Sequence, residues 1–163
     1  MSEIGLLGLV ERLAFAALAV HEAGEGALEK CAQRIEDTAK SEFGSYQDAT
    51  GPFPAWAELA ESTKEQRVAL GYSEDEPLLR EGTLRDSIEH ETHGAEAVIG
   101  STSEIMPYHE FGTSRIPPRP VLGPALDRNE EFIKDTIGKA MAGAMLGDGT
   151  AVHRSLGYDR DIG

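Results

Sequence analysis

A single cysteine, Cys31, rules out an intrachain disulfide and any thiolate cage built by one chain. Cations are scarce too, with 15 Lys and Arg against 29 Asp and Glu and a formal charge of -14. Holding DNA requires clustered cations that displace phosphate counterions, so a nucleic-acid grip is excluded as the main role of this surface. An acidic wall does suit a channel through which a polyanion slides without sticking. The apolar run from Leu13 to Val20 is far too short to span a membrane, and Glu11 and Arg12 precede it. A secretory leader would place positive charge ahead of that run, where Ser2, Glu3 and Ile4 stand instead. The expectation is a soluble, unexported protein that does not bind membranes.

The signatures of catalysis are missing as well. No glycine precedes a Lys-Ser/Thr pair, no G-x-G-x-x-G opens a helix, and neither Ser87 nor Ser101 sits in a G-x-S-x-G elbow. His90 and His93 are three apart, which on a strand sends them to opposite faces and away from a common metal ion. His109 and Glu110 could pair for proton transfer, but no nucleophile with an orienting third group stands beside them. A capping or core-edge role for His109 fits better. The expectation is therefore a protein without catalytic residues, metal or cofactor, and not an enzyme.

The length, 163 residues, suits one domain with a real core. Apolar residues from about Glu3 to Lys40 recur at helical spacing, among them Leu6, Val10, Leu13, Ala17, Val20, Leu28, Cys31 and Ile35. Two readings are open for this segment: one long helix, part of which projects towards a neighbouring subunit, or a hairpin broken between Ala23 and Gly26. Residues 43–54 read as a loop. The second half of 56–70 reads as a helix with a capping box at Ser62 and Glu65 and a stop at Gly71. Thr83 is placed to cap a short helix through Ile88. The runs 89–92 and 96–101 bracket His93-Gly94-Ala95 as an antiparallel hairpin.

Pro117, Pro118 and Pro120 remove three donors, so their segment belongs at a sheet edge or in an extended loop. Pro124 opens a final helix carrying Leu126, Phe132, Ile133, Ile137 and Met141, up to Gly147. The fold class expected is α+β: a small, mostly antiparallel sheet flanked by a long N-terminal helix and a C-terminal helix. Residues 1–146 form the single domain and 147–163 an extended tail, mobile on its own and open to ordering in an assembly.

Arg80, Arg85, Arg115 and Arg119 gather in one stretch of this acidic chain. Guanidinium groups bind carboxylates through two parallel bonds and favour interfaces, so pairing with an identical neighbour is one reading. Isolated surface arginines, worth under about 1 kcal/mol each, are the other. Trp56 either anchors an irregular arm or packs on the chain's own core.

Four blocks now stand in order: Leu78-Leu79-Arg80-x-Gly82-x-Leu84-Arg85-Asp86-Ser87-Ile88, then Ile99-Gly100-Ser101, then Tyr108-His109-Glu110-Phe111-Gly112-Thr113, then Pro117-Pro118-Arg119-Pro120-x-Leu122-Gly123-Pro124. Together they resemble the virion morphogenesis and head-tail joining families of tailed bacteriophages, with Trp56, Leu59, Thr63 and Arg67 similar to their tail-completion branch. The resemblance spans roughly the middle half of the chain. It departs from the pattern at Glu81, at the short spacing after Tyr108 and at Val121.

What the resemblance implies is a structural virion protein at the head-tail junction. It would be a tail-completion, tail-terminator or neck subunit that forms a homo-oligomer, expected to be a hexameric ring, capping the tail tube and joining it to the head-side connector. DNA would pass through its lumen without specific binding. The protein would be assembled in the host cytoplasm and carried in the virion. A transient assembly factor, or a minor capsid or tail component outside any stable ring, is the alternative. Candidate subunit-interface residues are Trp56, Arg80, Arg85, Phe111 and Arg115, with the arm Pro117, Pro118, Arg119 and Pro120, whose stiffness lowers the entropy lost on docking.

Overall fold

The computed structural model of the chain describes residues 6–146 and opens with one uninterrupted helix, α1, over Leu6–Ser41. The single-helix reading of this segment holds. Gly24 does not break it, because the absent side chain makes room instead: a Cβ there would lie 3.1 Å from the Met141 methyl carbon. Ala27, Cys31, Ile35 and Ala39 are buried at every fourth position and form the packed stripe of α1. Towards its start the helix is bare. Residues 10–18 are all exposed, Val10, Leu13, Phe15 and Leu18 among them.

The remaining elements are α2 (Glu61–Ala69), α3 (Thr83–Asp86), β1 (Ile88–His93), β2 (Glu96–Ser101), α4 (Met106–Phe111), α5 (Leu122–Arg128) and α6 (Glu130–Leu146). The class is α+β as expected, with a sheet of two strands, β1 and β2, joined as an antiparallel hairpin. Gly94, at φ 59, turns the hairpin, taking the positive φ that a two-residue connection needs. Burial alternates along β1 from Ile88 to His93, so His90 is half-buried while His93 faces out. The His90 imidazole meets Glu36 of α1, whose other oxygen takes Lys40 at 2.5 Å. Burial pushes the Glu36 carboxyl up, but these two partners more than offset it and leave it below its ordinary value.

The chain packs as two compact units. The first holds the chain up to Cys31, Thr92–Ala97 and the chain from Phe132. Within it the Thr92 hydroxyl donates to Glu29 at 2.6 Å, and Val20, Leu28, Ile137 and Met141 line an apolar cleft of about 450 Å³. The second holds Ala32–Glu91 and Val98–Glu131, including the four blocks noted in the sequence. Its core is built on Ala32, Ile35, Ala39, Phe43, Trp56, Leu84, Ile88, Met106, Val121 and Ala125.

Several local expectations are corrected. The capping box at Ser62 and Glu65 does not form, because α2 starts earlier: Ala60 is its N-cap, extended at φ -62 and ψ 145, and Ser62 lies inside the helix. Its end matches the sequence. Gly71 at φ 81 bonds back to Val68 at 2.9 Å and Tyr72 to Arg67 at 2.9 Å, the paired closure of a Schellman motif. Thr83 is likewise the first residue of α3 and not its cap. Gly82, left-handed at φ 85, takes that place and lets the chain turn in.

The final helix is two helices. Asn129, at φ -103 and ψ 5, separates α5 from α6 by sending its amide to the Ala125 carbonyl and the Thr38 hydroxyl, both at 2.8 Å, while accepting from Arg34 at 3.2 Å. A buried Asn that bonds the backbone one turn back competes with the helix ladder. No strand forms at the proline segment, which runs as an extended loop. The tail expected at 147–163 lies outside the described residues.

Candidate functional site

The proline segment is held from the inside by its own chain. Gly112 ends α4 at φ 72 and ψ 175, a conformation open essentially to glycine alone. A Cβ there would fall 2.8 Å from the Pro118 nitrogen and 2.9 Å from the Ile116 oxygen. Beyond it Thr113 closes a tight turn, its amide donating to the Ile116 carbonyl at 2.8 Å and its hydroxyl accepting from the Ile116 amide at 3.1 Å. The Arg119 amide then returns to the His109 carbonyl at 2.7 Å.

Opposite this arm lies the segment that follows Trp56. The indole N–H donates to the Pro120 carbonyl at 2.9 Å, and the Arg119 guanidinium donates to the carbonyls of Ala57, at 2.8 and 3.1 Å, and Glu58, at 3.1 Å. Trp56, Arg119 and Pro120 are all buried by this clasp.

Glu110 fixes the far end of the arm. Its carboxylate accepts from Val121 at 2.7 Å, Leu122 at 3.2 Å and Gly123 at 3.1 Å. These are the orphan donors at the start of α5, and Pro124, which follows, has no N–H to satisfy. One side chain thus completes a helix start that lacks a cap of its own. Gly123 beside it lets the Phe53 ring pack close, because a Cβ would lie 2.4 Å from that ring and would have to push it aside. With both oxygens committed, Glu110 is a structural acceptor and not a proton-transfer partner of His109.

A second set of bonds orders the first block. Arg67, buried on α2, donates to the carbonyls of Ser73 and Leu79, both at 2.7 Å, and so pins the loop that carries Leu78, Leu79 and Arg80. Leu78 takes φ 60 there, a costly conformation for a leucine. At the foot of the hairpin Ser101 and Ser87 join hydroxyls at 2.7 Å, and Ser87 donates onward to the Leu84 carbonyl at 2.6 Å.

Buried charge gathers behind α5. Glu42, only 2 % exposed, pairs with Arg128, yet among the described residues its other oxygen has no hydrogen-bond partner. Desolvation dominates and, with the neighbouring Glu110 charge adding, pushes the Glu42 carboxyl up to about 7 in spite of Arg128. His109 is shifted the other way, its imidazole held below the ordinary value by burial and then by the Arg119 charge.

The predicted interface residues therefore separate into three groups. Trp56, Arg119 and Pro120 make internal bonds, whereas Phe111, Arg115, Pro117 and Pro118 are exposed, Phe111 to 80 %. Arg80 lies over the Tyr72 ring at 5.1 Å and near Glu81 at 3.6 Å, and Arg85 pairs with Asp86 at 2.8 Å. A groove of about 580 Å³ runs between α2, the start of α3, α4 and the proline arm, with Arg67, Arg80, Arg115 and Arg119 all on its walls. Sequence reasoning did not single out Glu110 as a cap. The signal available was a carboxylate upstream of a Val-Leu-Gly-Pro helix start with no Ser, Thr, Asp or Asn to cap it.

No curated protein matches the chain, and no solved structure does. The four blocks are the parts of the sequence that the clasp, the cap and the serine pair hold together. The chain matches the phage virion morphogenesis family over residues 9–142, which takes in most of α1 and most of α6 beyond the middle half expected, and it belongs to that family of virion assembly proteins.

Proposed function

We propose that the chain is a ring subunit at the phage head-tail junction, acting as a tail-completion, tail-terminator or neck protein that caps the tail tube and joins it to the head-side connector. The reading rests on family membership together with one structural observation. The four blocks fold into a clasp held by internal hydrogen bonds that leaves Phe111, Arg115, Pro117 and Pro118 exposed around one short arm. An arm already stiffened by prolines and by Glu110 loses little entropy on docking against a neighbour.

The bare first part of α1, residues 10–18, offers a second docking element of apolar character. The net charge of -14 suits a lumen that lets DNA pass without binding it. The role is mechanical and needs no catalysis. Quantitative protein analysis of purified particles tests it: a connector is retained in a few copies per virion at the neck, whereas a transient assembly factor is absent.

A further inference from the structure

Arg67 and Arg119 are 8 % and 5 % exposed, and the hydrogen bonds of both guanidinium groups go to backbone carbonyls. Among the described residues neither has a carboxylate partner. A buried cation without a counter-charge is costly, and here it occurs twice in a chain where carboxylates outnumber cations 29 to 15.

Both arginines line the same groove. Arg80 and Arg115 border it as well, and the exposed Arg115 has no ion pair among the described residues. Glu58 and Glu81 are the carboxylates beside it, and Glu81 is already engaged by Arg80 and by the Tyr72 hydroxyl at 2.5 Å. The buried Nδ1 of His109, which also lines the groove, has no hydrogen-bond partner among the described residues. Leu59, Leu78, Ile105 and Ile116 supply apolar wall.

We propose that this groove is a socket for an acidic side chain of a second copy of this chain, its carboxylate received by the arginines and its aliphatic stem by the apolar wall. Planar guanidinium groups take a carboxylate through parallel bonds, which fits this ligand better than a lone apolar knob. The second copy follows from charge complementarity: the neighbour carries the same carboxylate excess, and a head-to-tail contact repeated around a ring fills each socket with the next subunit's acid. The inference rests on the ring reading and names the bond that would close it.

The test compares the full chain with Arg115→Glu and Arg115→Lys by mass photometry and carbodiimide cross-linking, with thermal melts as a control. The exposed Arg115 side chain makes no hydrogen bond or ion pair among the described residues, so both variants are expected to melt like the parent. Reversing a charge that is desolvated on docking is expected to weaken self-association by at least about tenfold. In Arg115→Lys the new amine is expected to form an intermolecular amide with a carboxylate that peptide mapping identifies. An assembling parent whose Arg115→Glu form assembles equally well, with no cross-link at position 115, overturns the socket and leaves the ring standing. A parent that stays monomeric, alone and with tail-tube protein, overturns both.

Discussion

The Glu110 carboxylate lies 2.7 Å from the Val121 amide nitrogen and extends its second oxygen to Gly123 at 3.1 Å, so that α5 is capped by a residue of α4. The bond ties two short helices across the proline arm, and neither helix is long enough to be stable alone.

Replacing Glu110 by alanine is expected to strand three backbone donors and to cost about 2 to 4 kcal/mol. Urea unfolding followed by the fluorescence of Trp56, the one tryptophan, measures it directly. Glu110→Gln keeps an acceptor for part of the cluster and is expected to lose less than the alanine variant. A loss under about 0.5 kcal/mol for alanine would mean that water replaces the carboxylate without penalty.

Glu42 makes stability depend on pH in an unusual direction. Between its ordinary value of 4.5 and about 7, the folded chain holds a proton that the unfolded chain has released. Raising the pH through that window therefore destabilises the fold, by an amount on the order of 3 kcal/mol from this group. His109 acts oppositely: its folded value is depressed, so its contribution is present above 6.5 and is lost as the pH falls below it. The difference between parent and Glu42→Gln isolates the first effect. The variant is expected to gain relative to the parent as the pH rises from 5 to 8, read as a shift in urea midpoint. A constant difference would place the Glu42 titration elsewhere.

Two glycines separate conformational need from mere tolerance. Gly112→Ala puts a Cβ against two backbone atoms at an essentially glycine-only conformation and is expected to cost at least about 2 kcal/mol, with loss of soluble protein. Gly26, exposed in the middle of α1, has nothing within 4 Å of a Cβ, so Gly26→Ala is expected to stabilise by about 0.5 to 1 kcal/mol. Thermal melts of the two variants should move in opposite directions.

Much of the turn and helix-end structure was legible because its signals are local. Gly71 as a helix stop, the hairpin at Gly94 and Pro124 in a first turn each depend on a backbone preference of one or two residues. The split at Asn129 was hidden because it is made by Thr38 and Arg34, which are remote in sequence. The caps at Ser62 and Thr83 failed for a related reason: Ala60 and Gly82 begin their helices through backbone geometry, and the nearby hydroxyls are left inside.

The candidate interface residues could be named as a group from the sequence, but not which of them the fold turns inward. Composition marks arginines as interface formers, yet only the fold shows that Arg119 and Arg67 face carbonyls inside while Arg115 faces out. Trp56 resolves similarly, since its N–H reaches Pro120, a residue no local pattern connects to it.

The measurement that bears most directly on the ring is the mass of the purified full chain in solution, taken by mass photometry alone and with tail-tube protein. The account predicts a closed oligomer of fixed size, formed by the chain alone or on contact with the tube. A monomer at every concentration under both conditions would contradict it.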